Sequence, residues 1–278
     1  MVDKIPFMKM NGCGNDFIVI DNRKNILAGL DISKFARKVC VRRLSIGADG
    51  LMTLENSKHV DFKMRYFNAD GSEGEMCGNG ARCISKFAYY MGVAKSPMKF
   101  ETISGVHEAW ITEESVRLKF PPVYPKEIIL NRYYVFDDEK LKFHSCSVGV
   151  PHVIIYTDVL RMNYKEIYNL GKKIRYSNIF PQGTNVNFVQ NMDSNNIIIR
   201  TYERGVEDET LACGTGSTAA AIVSGLLNKV IPPVNVHNRA GVLKIDYQVA
   251  EDCIKEIYME GKAQSVVEGY ILPEAYVT

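Results

Sequence analysis

With 278 residues, 46% of them hydrophobic and 24% charged, the chain has a folded globular composition with room for two medium domains, which excludes the disordered and fibrous classes. A net charge of +2 excludes the basic footprint that nucleic acid or an anionic membrane surface demands, and Lys172, Lys173 and Arg175 read as a solvated face. The segment Met1-Val2-Asp3-Lys4-Ile5-Pro6-Phe7 lacks a positive flank followed by an apolar stretch, and no window approaches the roughly 20 apolar residues of a membrane span, so a cytoplasmic protein is expected.

In chain order, a glycine turn at Gly14 leads into the apolar strand Phe17-Ile18-Val19-Ile20, and Ala48-Asp49-Gly50-Leu51-Met52 and Lys63-Met64-Arg65-Tyr66-Phe67-Asn68 follow. Cys77-Gly78-Asn79-Gly80 then opens a notably apolar helix over residues 81–91. After Ser104-Gly105-Val106, the stretch Val116-Arg117-Leu118-Lys119-Phe120 alternates apolar and polar residues, as a strand with one wet face does. Pro121-Pro122 and Tyr124-Pro125 suit a linker, since consecutive prolines block both helix and central strand. Beyond it come Gly149 with the strand Val153-Ile154-Ile155, then Thr184-Asn185-Val186-Asn187-Phe188 and Ile198-Ile199-Arg200-Thr201-Tyr202-Glu203. Cys213-Gly214-Thr215-Gly216 opens a second helix, over residues 218–227, that is apolar almost all round and therefore buried. Val242-Leu243-Lys244-Ile245-Asp246 alternates again, and residues 264–271 form an additional strand able to pair with either half.

These segments repeat. Five blocks recur in the same order about 135 to 138 residues apart, far longer than a solenoid period, so the chain is two copies of one unit. The blocks align Gly14 with Gly149, Asp49 with Asn185, Arg65 with Arg200, Gly105 with Gly241 and Val116 with Ile254, and the third runs into Cys77 or Cys213. The expected fold is α/β (α+β): two pseudo-symmetric domains, each a largely antiparallel sheet curled around a central helix. Their expected bounds are residues 1–121 plus 264–278, and residues 122–263.

Both central helices begin with Cys-Gly-x-Gly. The glycines permit close approach of a ligand to the backbone. The first N–H groups of a helix lack partners and its dipole is positive there, so each start is a cradle for an anion such as a carboxylate. The same field draws a cysteine thiol below its reference value of about 8.5 toward a usable thiolate. If the copies face each other, two sulfurs reach one carbon from opposite sides: one removes a proton, the other returns it, and the stereocentre inverts. No lysine stands in a Schiff-base context, so no pyridoxal phosphate and no other cofactor is expected.

At these residues the sequence resembles the diaminopimelate epimerase family over nearly its whole length. The stretches that carry the resemblance are Lys9-Met10-Asn11-Gly12-Cys13-Gly14-Asn15-Asp16-Phe17, Phe67-Asn68-Ala69-Asp70-Gly71-Ser72-Glu73, Cys77-Gly78-Asn79-Gly80-Ala81-Arg82-Cys83, Gly183-Thr184-Asn185, and Tyr202-Glu203-Arg204-Gly205 leading to Ala212-Cys213-Gly214-Thr215-Gly216. The resemblance implies interconversion of L,L- and meso-diaminopimelate for lysine and peptidoglycan synthesis, a cleft that closes on a small amino-acid substrate, and a homodimer. It implies that Cys77 and Cys213 transfer the protons with support from His152 and Glu203. Gly78, Asn79, Gly214 and Thr215 would hold the carboxylate at the reacting carbon, and Asn15, Asn68, Asn185, Glu203 and Arg204 the distal amino and carboxylate groups. Two positions depart from the family pattern: Val150 stands where many members have Asn, and Gly50 where some have Gln. Racemisation of another amino acid by the same chemistry is the alternative that Val150 prompts.

Set against this, a cysteine at a helix start is by default structural, His152 a core or turn histidine, Asn68 and Asn185 turn formers, and Glu203-Arg204 an exposed ion pair. Five of the seven cysteines read as buried apolar filler, and their irregular positions do not form a disulfide framework. Cys77 and Cys83 lack the two-to-four-residue spacing of a zinc site, so no metal is expected. Gly214-Thr215-Gly216-Ser217-Thr218-Ala219 also fits a dinucleotide fingerprint, but residues 203–210 are too polar for the buried strand that must precede one. A thiol-redox protein is the third reading, and it would turn over a disulfide substrate.

Overall fold

The computed structural model describes residues 4–136 and 139–277. It contains two compact units, residues 1–118 with 261–278, and residues 119–260.

Unit 1 carries β1 (Ile5–Gly12), β2 (Asn15–Asp21), α1 (Ile32–Val39), β3 (Gly50–Glu55), β4 (Phe62–Asn68), β5 (Glu73–Gly74), α2 (Gly78–Tyr90), β6 (Met98–Thr102), β7 (Gly105–Ile111) and the start of β8 (Ser115–Phe120). The last strand of the chain, β18 (Gln264–Ile271), pairs antiparallel with β1, Ile5 opposite Ile271. The ladder runs β18-β1-β2-β3-β4-β6-β7-β8, antiparallel except at β2–β3 and β4–β6. Its strands turn one face to α2: Phe17 and Met52 close around Gly80. On the other face Ile18, Ile20 and Leu51 cluster with Phe35, Ala36 and Val39 of α1. Covered on both sides, β2 and β3 are continuous apolar runs rather than alternating ones. The tight β1–β2 hairpin needs positive φ at both of its loop residues, Cys13 (52°) and Gly14 (90°).

Unit 2 carries β9 (Ile128–Phe136), β10 (Glu139–Val148), β11 (Val150–Tyr156), α3 (Tyr164–Arg175), β12 (Asn185–Asn191), β13 (Asn196–Glu203), β14 (Asp208–Thr210), α4 (Gly214–Leu226), β15 (Val234–Asn238), β16 (Gly241–Val249) and β17 (Ile254–Lys262). Its ladder runs β9-β10-β11-β12-β13-β15-β16-β17, parallel at β11–β12 and β13–β15. Strand for strand this is the topology of unit 1. The helix α4, buried from Gly216 to Ser224, touches β10, β11, β12, β13, β15 and β16, so one sheet wraps it. The outer face packs Val153, Ile155, Val186, Phe188 and Tyr202 against Ile167 and Ile174 of α3.

Register makes the equivalence residue-specific. Phe17 pairs with Gly50 and Leu51 with Phe67, as His152 pairs with Asn185 and Val186 with Tyr202. Gly50, not Asp49, is therefore the counterpart of Asn185, one residue from the alignment read in the sequence. In a strand that single step exchanges the two faces.

Four other expectations need correction. The central helices do begin at the Cys-Gly-x-Gly turns, but their ranges are Gly78–Tyr90 and Gly214–Leu226 rather than residues 81–91 and 218–227, since the glycines lie inside the first turn. Arg175 is not on a solvated face: it is 16% exposed and lies 3.0 Å from Glu207. Cys253 is half-buried at a turn rather than packed in a core, unlike Cys13, Cys40, Cys83 and Cys146. The outer helices α1 and α3 were not foreseen at all. Among the described residues no helix is long and apolar enough to cross a membrane.

Candidate active site

Each unit presents a cysteine at the N-cap of its wrapped helix. Cys77 (φ −128°, ψ 118°) precedes α2 and Cys213 (φ −122°, ψ 115°) precedes α4, and neither side chain caps its helix. The first intrahelical bonds run from Ala81 N–H to Cys77 O at 2.7 Å and from Ser217 N–H to Cys213 O at 2.9 Å. The amides of residues 78–80 and 214–216 come before those bonds, and their N–H groups point out of the helix starts, where an anion is favoured. Cys77 is half-buried and Cys213 buried. The Cys213 Sγ lies 3.6 Å from Thr215 Oγ1.

The approach to each cysteine is braced in the same way. Arg65 of β4 grips Glu73 of β5 through Nε and a terminal nitrogen, at 2.7 and 3.0 Å, and Arg200 of β13 grips Glu209 of β14 at 2.7 and 2.7 Å. In unit 2 the carboxylate is fully shielded and Arg239 adds a contact at 3.3 Å. Two-pronged Arg–carboxylate pairs fix direction as well as distance, so the short strands before the cysteines are held rigidly.

In unit 1, Asn79 donates to Asn15 Oδ1 at 2.5 Å and accepts from Arg82 at 2.8 Å. Asn15 in turn donates to Asp49 at 3.1 Å, and Asp49 and Asp16 share Arg42. Burial alone would raise the Asp16 carboxyl, but hydrogen bonds and charge from Arg42 and Lys9 hold it below its ordinary 3.8. The amides of Asn15 and Asn79 are thus a relay pinned at both ends. Asn68 ends β4 and spends its Nδ2 on Ser72 Oγ at 3.0 Å, a turn-forming role. Gly12 lies against the helix start: a Cβ there would sit 2.7 Å from the Asn79 carbonyl oxygen. Gly50 is equally imposed, since a Cβ would meet Tyr66 at 2.5 Å and the Phe67 carbonyl oxygen at 2.6 Å.

In unit 2, Asn185 donates to Pro151 O at 3.1 Å and accepts from Arg204 N–H at 2.9 Å, tying the β11 start to the loop after β13. The Arg204 guanidinium reaches Gln182 O at 3.1 Å. Glu203, rather than belonging to an exposed ion pair, is desolvated, and burial raises its carboxyl above the ordinary 4.5. Val150, half-buried, begins β11 where Asn15 begins β2. His152 is fully buried, and desolvation with the nearby Arg204 charge pushes it from 6.5 down to about 3. Asn187, which the sequence reading passed over, faces His152 Nδ1 from 3.3 Å. The local sequence marks it only weakly, since Asn185-Val186-Asn187-Phe188 alternates as a strand with one wet face does, and it is the fold that buries Asn187.

The histidines set a pH dependence. Burial also lowers His144, from 6.5 to about 4, with Lys142 and Lys229 adding repulsion. For both, the unfolded chain binds a proton that the folded chain refuses, so stability is full above about 6.5 and falls as pH drops toward those lowered values. The expected result is a denaturation midpoint that declines steadily from pH 6.5 to 4.5, before carboxylates such as Asp16 contribute. In His144→Gln the decline is shallower, and a flat midpoint over this range would refute the neutral burial.

A family model described as Diaminopimelate epimerase matches residues 7–120 and 144–266. A diaminopimelate epimerase of Aquifex aeolicus (strain VF5) is 44% identical over 287 residues, spanning 97% of this chain and 99% of that protein. One from Caldanaerobacter subterraneus subsp. tengcongensis is 42% identical over 281 residues, spanning 95% and 98%. Among solved structures, a Bacillus anthracis phenazine biosynthesis protein of the PhzF family superposes with a TM-score of 0.72 at 15% identity, over 97% of this chain and 99% of that one. That last likeness is one of fold alone.

Proposed function

The chain belongs to the diaminopimelate epimerase family, and from that premise we propose that it interconverts L,L- and meso-diaminopimelate in lysine and peptidoglycan synthesis, without a cofactor. The observation that carries the reading is the duplicated helix start: the same Cys-Gly-x-Gly turn, with outward amides and a cysteine at the N-cap, occurs once in each unit. One of Cys77 and Cys213, as thiolate, takes the α-proton, and the other, as thiol, returns a proton to the opposite face. Outward N–H groups at Gly78, Asn79, Gly214 and Thr215 receive the α-carboxylate and meet the charge it gains as the carbanion forms. Two thiols acting on one carbon titrate as a pair, with one proton retained over the working range.

Asn15, Asn68, Asn185, Glu203 and Arg204 are assigned to the distal amino and carboxylate groups, with His152 and Glu203 supporting proton transfer. Since Asn15 and Asn185 are already bonded at both ends of their amides, each has one N–H to give, which suits a single fixed ligand orientation. The protein is assigned to the cytoplasm and to a homodimer, and neither nucleic acid nor membrane is a partner.

The test is incubation of purified, reduced protein with L,L-diaminopimelate in deuterated water, with chelator and no added cofactor. Meso product should appear carrying deuterium at one α-carbon. An absolute need for metal, pyridoxal phosphate or a nicotinamide would overturn the proposal.

A further inference from the structure

A polar row runs across the sheet face that covers α4. His152 of β11, Asn187 of β12 and Thr201 of β13 are 0%, 0% and 2% exposed. By register the same places in unit 1 belong to Phe17, Met52 and Tyr66, with Phe17 and Tyr66 in edge contact at 6.1 Å between ring centroids. One topology therefore accepts two apolar residues and a half-buried tyrosine in these places, and buried polar groups cost stability unless every one is paired. Folding alone gives no reason for the substitution, so the row in unit 2 serves something else.

Its hydrogen bonds have one consistent direction. Asn187 Nδ2 lies 2.9 Å from the Val153 carbonyl oxygen, which can only accept, so that end of the amide is the donor. The same Nδ2 reaches His152 Nδ1 at 3.3 Å, while Oδ1 accepts from Thr201 Oγ1 at 2.9 Å. Nδ1 of His152 is then an acceptor, and a neutral ring must carry its proton on Nε2. Nε2 is buried and has no hydrogen-bond partner among the described residues. The ring keeps a donor to give, and Asn187, which orients it, packs its Oδ1 against the Gly216 turn beside Cys213.

We propose that Asn187 is a positioning residue that locks His152 as its Nε2–H tautomer, so that in the reaction proposed above the imidazole donates a hydrogen bond to a negatively charged group of the reacting complex and does not itself take a proton. Burial keeps the ring neutral at the working pH, and Asn187 decides which nitrogen holds the hydrogen.

Long-range proton–nitrogen correlation spectra of ligand-free protein with labelled histidine read the tautomer directly, with no variant required. At neutral pH His152 should show a protonated Nε2 and a bare Nδ1; the opposite pattern, or an imidazolium, overturns the proposal. Asn187→Asp places an acceptor opposite Nδ1 and should reverse the tautomer, lowering kcat by about 10²-fold with KM little changed. Asn187→Met installs the residue of unit 1 and should leave a mixture of tautomers with an intermediate kcat. A reversed tautomer with an unaltered kcat would sink the assignment. Because the spectra need no turnover, a wild-type protein that fails to epimerise tells against the reaction, and the spectra still judge Asn187.

Discussion

Serine in place of Cys77 or of Cys213 lowers epimerisation by about 10³-fold or more in each case, because the hydroxyl is far less acidic than a thiol and one face of the carbon loses its proton carrier. The two variants should differ in what survives. Where the remaining cysteine is the base for one stereoisomer, it still removes and returns that proton on its own face, so exchange with deuterated solvent continues without inversion. Each variant should therefore exchange one of the L,L and meso forms slowly and leave the corresponding centre of the other untouched, with the preference reversed between the two. Following both isomers by proton NMR checks this. Near-normal epimerisation in either variant would remove the two-thiol chemistry, and identical exchange patterns would remove the division of labour.

Gly216→Ala is the second large effect, and it arises from packing. A Cβ at this position overlaps Asn187 Oδ1 and comes within 3.3 Å of Cys213 Sγ. Asn187 cannot retreat, since its amide is held by Val153, His152 and Thr201 together. Either the first turn of α4 shifts or the polar row breaks. Overpacking of this kind costs about 1–3 kcal/mol, and misplacing a reacting group by about 1 Å costs on the order of 10²-fold in rate. Gly80→Ala at the equivalent turn is the control: its Cβ meets Met52 Sδ at 2.9 Å, the thioether of a flexible side chain that can swing aside. Denaturant midpoints and rates for both should show Gly216→Ala the worse by a wide margin. Equal behaviour would mean that the polar row is softer than its hydrogen bonds imply.

The repeated Cys-Gly-x-Gly turns, the apolar helices and the strands were legible because each leaves a local mark: a glycine spacing, a run without charges, an alternation. The helices α1 and α3 were not, because Ile32–Val39 and Tyr164–Arg175 are amphipathic and rich in lysine and arginine, and a short half-polar stretch reads as loop. Their caps were present, Asp31 bonded to Lys34 N–H and Asn163 boxed with Glu166, but a cap signals only next to an apolar rhythm. The alignment of Asp49 with Asn185 slipped by one because similarity of letters carries no strand register; cross-strand pairing does. Arg175 looked solvated for a related reason: its partner Glu207 lies in the loop after β13, and an ion pair across that separation leaves no local trace. His152 and Glu203 could be named in advance, but their desolvation could not, since it depends on what the fold stacks over them.

The β18–β1 pairing means that the two halves do not finish in the order in which they are made. Residues 119–260 are contiguous and can close their own ladder as soon as they leave the ribosome, whereas Ile5 must wait for Ile271, and Phe35 for Tyr276, which meets it edge-on at 5.1 Å between ring centroids. Closing so long a loop is entropically slow. The first-made half is therefore the last to mature, and during synthesis it exposes the β1 edge that a chaperone, or another unfinished copy, would meet.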